Sequence, residues 1–150
     1  MGHTVLFICT GNVCRSPMAE GLFRDLVEKN DADFAVKSAG VGAQDGQPPS
    51  ENSVRAMQDL GIDITSQRSQ MLTAELAAEA DMIIGMTQGH VEMVNLMYPQ
   101  AADKTFMLRE FDESIPLHER EIADPIGGSY EIYCLCRNQI REGIDSLLNS

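Results

Sequence analysis

The chain has 150 residues, 43% hydrophobic and 23% charged, with a formal net charge of -12. That size and balance predict one globular domain over residues 1–150, large enough to form its core without disulfide or metal support. The negative charge repels nucleic-acid backbones and anionic membranes, no stretch approaches the roughly 20 apolar residues of a bilayer span, and no secretory signal opens the chain. A cytoplasmic location follows as the expectation, with Cys9, Cys14, Cys134 and Cys136 as thiols.

Residues 4–9, Thr-Val-Leu-Phe-Ile-Cys, form a continuous apolar, β-branched run that predicts a strand buried on both faces and ending at a Gly11-Asn12 turn. From Pro17, apolar residues at Met18, Leu22, Phe23, Leu26 and Val27 predict a helix to about residue 29 or 30, with Pro17 in its first turn. Residues 35–39 predict a second strand, and the polar segment 44–49 a break. Ser50 and Thr73 stand where they can cap two further helices, one ending at Gly61 and one over 72–80.

Residues 81–86 predict a third buried strand, and Val91, Val94, Leu96 and Met97 a helix broken at Pro99. A fourth strand is expected at 105–108. Residues 113–129 then show no period and carry the turn signals of Asp124-Pro125-Ile126-Gly127-Gly128, which predicts a long functional loop. The last helix, 130 to about 148, places Ile132, Tyr133, Cys136, Ile140, Ile144 and Leu147 on one stripe. Met86, Met93 and Met97 read as core, and Tyr130 and Tyr133 as packing residues. His3, His90 and His118 share no ligand spacing and read as surface histidines. Alternating strands and helices predict a parallel sheet covered on both faces, with a ligand crevice at the strands' carboxyl ends.

The chemistry concentrates in Cys9-Thr10-Gly11-Asn12-Val13-Cys14-Arg15-Ser16-Pro17. A loop between a buried strand and a helix start aims successive backbone N–H groups inward, and with the helix dipole it forms a site for a dianion. Arg15 can add a two-pronged contact that a lysine cannot. The same field favours a thiolate at Cys9, at the mouth of the helix, able to attack phosphorus. Ser16 can give its hydroxyl to that sulfur or cap the helix. The loop lacks the Gly-Lys-Ser/Thr ending of a nucleotide-binding loop and the three glycines of a dinucleotide fingerprint, and the cysteines lack zinc spacing. A departing oxygen needs a proton, for which Asp124, held extended before Pro125, is the best-placed acid; a turn-forming aspartate is the alternative.

These residues, with the order of strands and helices, resemble the low-molecular-weight protein tyrosine phosphatase family across essentially the whole chain. The resemblance implies a three-layer α/β/α fold with a four-stranded parallel sheet in order 2-1-3-4, and neither cofactor nor metal. Cys9 would be the nucleophile, Arg15 the clamp, and Asp124 the general acid and then the base. Residues Thr10, Gly11, Asn12, Val13, Cys14 and Ser16 would form the phosphate loop, with Asn12 and Ser16 shaping it and Ser38 supporting Asn12. Cys14 would form a reversible disulfide with Cys9, a buried small hydrophobe being the competing view. Phosphorylated proteins or peptides would be the substrates and inorganic phosphate a product.

Within that resemblance, protein arginine phosphatases carry threonine where this chain has Val13, and valine offers a guanidinium no polar contact. Val13 therefore points to phosphotyrosine. Ile126-Gly127-Gly128-Ser129 and Met86-Thr87 are closer to the arginine-specific branch, which stands as the alternative. Thioredoxin-coupled arsenate reduction would need two further cysteines after the third strand, and none occurs between residues 91 and 121. An inactive phosphate-binding module would lack the nucleophile, the clamp or the acid, and all three residues are present.

Overall fold

The computed structural model describes residues 3–149. The four strands β1 (His3–Cys9), β2 (Phe34–Gly40), β3 (Met82–Gly85) and β4 (Thr105–Met107) form one sheet in the order β2-β1-β3-β4. All pairings are parallel. The helices are α1 (Arg15–Lys29), α2 (Glu51–Gln58), α3 (Ala74–Glu79), α4 (Gln88–Met97) and α5 (Tyr130–Leu148). Among the described residues, no helix is long and apolar enough to cross a membrane.

The unbroken hydrophobic run of β1 follows from its central place. Its side chains alternate between faces: Val5, Phe7 and Cys9 pack with α1, α2 and α5, whereas Leu6 and Ile8 pack with the α3 and α4 side. From Val5 to Cys9 both faces are dry and the run is apolar, whereas the polar His3 and Thr4 stand at its less buried start. The chain leaves β1 for β2 on one side and returns to β3 on the other, with Ile8 beside both Ala39 and Gly85. Such a reversal opens a crevice beyond the strand's carboxyl end, where Cys9 lies.

Several expectations shift by a few residues. The helix expected over 72–80 spans only Ala74–Glu79, capped by Thr73, whose hydroxyl accepts from Leu76 N–H. Met71 instead bridges Gly40 in parallel at the sheet's edge. Ser50 makes no side-chain cap bond to α2. Its N–H donates to Val13 O at 2.8 Å and its hydroxyl to Ser53 at 2.8 Å, tying the helix start to the loop after β1. The fourth strand ends at Met107, a 3-10 turn follows at Leu108–Phe111, and the long loop contains another at Leu117–Glu119.

Met86 is fully buried, but Met93 is 42% and Leu96 77% exposed, because α4 turns His90, Val91 and Val94 inward. The core expectation fails for Met93. On α5, Ile132 lies at the exposed end of the apolar stripe. Tyr133 is buried, and the Arg55 guanidinium stacks 4.2 Å above the Tyr130 ring.

Candidate active site

The segment after β1 turns sharply because Asn12 adopts φ 57, a left-handed conformation that asparagine tolerates better than most residues. Its side chain holds the turn from within. The Nδ2 group donates to Ser16 Oγ at 2.7 Å and to Ser38 Oγ at 2.9 Å, while Oδ1 accepts from Gln70 N–H at 3.0 Å. The Ser38 hydroxyl donates in turn to Glu20, whose carboxylate also pairs with Arg24. Glu20 and Gln70 were not foreseen, since neither belongs to the loop's local sequence.

Ser16 belongs to the same network. Its oxygen accepts from Asn12 and lies 2.9 Å from Cys9 Sγ, a contact to which its own proton can turn. The helix cap is not its function, because α1 begins at Arg15 and makes no side-chain cap bond. Cys9 is only 2% exposed, so the sulfur expected at an open mouth lies on the floor of the loop. Thr10 is exposed above it, with Gly11 and Val13 half-buried.

Arg15 is buried, and its Nη1 donates to Ile122 O at 2.9 Å. Its Nη2 lies 3.7 Å from Asp124 Oδ2, a carboxylate 45% exposed. The long loop thus folds back over the crevice. Ile122 N–H donates to Met86 O at the end of β3, and Glu121 Oε2 accepts from Gln88 N–H at the start of α4. Arg109, buried after β4, donates to the carbonyls of Glu119, Arg120 and Glu121 at 2.9–3.1 Å. That anchor had no sequence signal, being one cation among the charged residues Glu110, Asp112 and Glu113 with no motif around it.

Gly40, at the end of β2, lies against the loop's backbone. A Cβ there would stand 2.4 Å from Thr10 O and 2.8 Å from the Ala43 Cβ. Cys14 is a free thiol whose sulfur lies 3.5 Å from both Ser50 Oγ and Tyr133 Oη. Burial, followed by the Cys14 contact, pushes the Tyr133 phenol up to about 12. Burial likewise raises the Cys136 thiol to about 12, against the opposing influence of Arg15.

The histidine reading needs correction at one position. His3 and His118 are exposed, but His90 is only 6% exposed. Its Nε2 lies 2.9 Å from Thr10 Oγ1. It was missed because its partner sits on a different strand-to-helix loop.

Fold and loop together define a phosphatase class, that of small α/β hydrolases built around a cysteine–arginine loop. Comparisons with known proteins agree. The family profile described as "Low molecular weight phosphotyrosine protein phosphatase" matches residues 4–150. A protein-arginine-phosphatase of Geobacillus stearothermophilus is 39% identical over 98% of this chain and 95% of its own length. A probable low molecular weight protein-tyrosine-phosphatase of Ralstonia nicotianae is 33% identical over 97% and 94%. The crystal structure of a low molecular weight protein tyrosine phosphatase from T. tengcongensis superposes with a TM-score of 0.91 at 36% identity, covering 99% of each chain. The chain belongs to the low molecular weight phosphotyrosine protein phosphatase family, and it is a protein phosphatase.

Proposed function

We propose that the enzyme hydrolyses phosphotyrosine on proteins in two steps through Cys9. The carrying observation is the convergence of three groups distant in sequence: Cys9 beneath the loop, Arg15 beside it, and Asp124 within 3.7 Å of the guanidinium. The loop N–H groups of residues 10–16, the α1 dipole and the Arg15 fork receive the phosphoryl oxygens. The Cys9 thiolate attacks phosphorus, and the P–O bond to the tyrosine oxygen breaks as Asp124 donates its proton. Ser16 donates to the sulfur and supports its negative charge. In the second step Asp124, now a carboxylate, takes a proton from water as the water oxygen attacks the cysteinyl phosphate. Phosphate leaves, and the thiolate is restored.

Val13, half-buried in the loop, supports phosphotyrosine over phosphoarginine, since it brings an apolar surface without a hydroxyl. A second reading, protein arginine phosphatase by the same mechanism, is favoured by the 39% identical Geobacillus relative and by the Gly127-Gly128 pair beside Ile126. Measured kcat/KM on matched phosphopeptides decides between them. The phosphotyrosine reading expects the tyrosine ester to turn over faster and Val13→Thr to move the ratio towards arginine; a reversed ratio in the unaltered enzyme overturns it. Cys9→Ser should abolish hydrolysis of both.

The remaining parts of this reading are a single catalytic domain, free of cofactor and metal, acting in the cytoplasm. Such a compartment keeps Cys9 reduced. A protective Cys9–Cys14 disulfide would require Cys14 to give up its contacts with Ser50 and Tyr133. No role with nucleic acid or membrane is proposed.

A further inference from the structure

His90 is a buried titratable group that the two-step mechanism leaves unused. It occupies the first turn of α4, where its Nδ1 lies 3.2 Å from Thr87 N–H. A backbone N–H only donates, and the Thr87 hydroxyl, 3.1 Å from the same nitrogen, can donate as well, so with Nδ1 presenting its lone pair to both the neutral ring carries its proton on Nε2. That Nε2–H meets Thr10 Oγ1 at 2.9 Å, which makes the threonine oxygen the acceptor. The Thr10 hydroxyl has one proton of its own, and it is left free for another acceptor. Thr10 is exposed and directly follows Cys9, so that acceptor comes from the open side of the loop.

We propose that His90 is a positioning residue for phosphoryl transfer: it holds the Thr10 side chain so that the hydroxyl proton is presented to the anion bound above Cys9. The inference rests on the phosphatase reading above. The arrangement is doubly fixed. Thr87 Oγ1 accepts from His90 N–H at 3.2 Å, so residue and helix start form a reciprocal cap. Gly85 gives the ring room, since a Cβ there would come 3.0 Å from that of His90. Protonating Nδ1 would set two donors face to face. Burial first, and then the charge of Arg15, resist that event and hold the imidazole down to about 4, against the opposing pull of Asp124 and Glu121. The ring therefore stays neutral at neutral pH, with the Thr87 contacts setting its tautomer.

Two substitutions separate positioning from capping. Asparagine places an acceptor near the Nδ1 position and keeps the cap, but it cannot reach Thr10. Glutamine reaches Thr10 and loses the cap. With p-nitrophenyl phosphate as substrate, His90→Asn should lower kcat/KM about tenfold while Tm stays near that of the parent, the loss expected for one hydrogen bond. His90→Gln should lower Tm yet recover most of the rate. Thr10→Val should cost as much as His90→Asn, and the double variant no more than either alone. Rates that track Tm in both histidine variants, an unimpaired His90→Asn enzyme, an unimpaired Thr10→Val enzyme, or additive losses would each overturn the proposal. An inactive parent enzyme would bring down the phosphatase reading as well; an active parent with unimpaired His90→Asn would bring down this inference alone.

Discussion

The Arg15 guanidinium lies 3.7 Å from the Asp124 carboxylate, joining the first helix to the loop before the last. Arg15 also donates to Ile122 O, so in the proposed mechanism the phosphate clamp helps seat the acid two residues further on. Asp124 remains 45% exposed and free to exchange protons with solvent. This pairing predicts that Asp124→Asn lowers kcat/KM, which reports formation of the cysteinyl phosphate, by roughly 10²–10⁴-fold for phosphotyrosine, whose leaving oxygen needs a proton, and by much less for p-nitrophenyl phosphate. Steady-state kinetics with the two substrates checks it; equal losses in kcat/KM would show that Asp124 does not protonate the leaving group.

Gly40 is predicted to be irreplaceable without cost. Its missing Cβ is what lets the Thr10 carbonyl approach, and that carbonyl is backbone that cannot swing aside. Gly40→Ala should lower kcat/KM by about 10²-fold through displacement of the loop and destabilise the fold by about 1–3 kcal/mol. Kinetics together with urea unfolding gives both values.

Asn12 allows backbone strain and hydrogen bonding to be separated. Asn12→Gly and Asn12→Ala both lose the bonds to Ser16, Ser38 and Gln70, but only alanine must also bear φ 57. Both variants should be far less active than the parent. Chemical denaturation should find alanine the less stable of the two by about 1 kcal/mol.

The buried His90 predicts a particular loss of stability in acid. The imidazole falls from its usual 6.5 to about 4 in the folded chain, so above pH 6.5 both states are neutral and its stabilising effect is complete. As pH falls from 6.5 towards 4 the unfolded chain takes up a proton that the folded chain refuses. Stability then drops by about 3 kcal/mol across that window, on the order of one 1.36 kcal/mol step per pKa unit. Subtracting the urea-derived stability of His90→Gln from that of the parent at each pH should reveal this slope; a flat difference would show that the imidazole titrates normally.

The sequence by itself determined the elements and their order, because local chemistry sets them. The apolar run to Cys9, the helix beginning near Pro17 and the last helix from Tyr130 were readable from period, turn residues and caps, and the sheet order came with the family resemblance. It also picked out Cys9, Arg15 and Asp124, since a cysteine–arginine loop and an Asp-Pro pair are local signals. The tertiary structure alone decided what supports them. Glu20, Gly40, Gln70, His90 and Arg109 act across strands and loops that are remote in sequence, and a hydrogen bond or a close approach leaves no mark on the spacing of either partner. The same reason explains Ser16 and Ser50, whose capping chemistry was legible but whose hydroxyls bond to Cys9 and Ser53 instead. A hydroxyl joins whichever partner folding brings nearest, and only the packed chain determines which one that is.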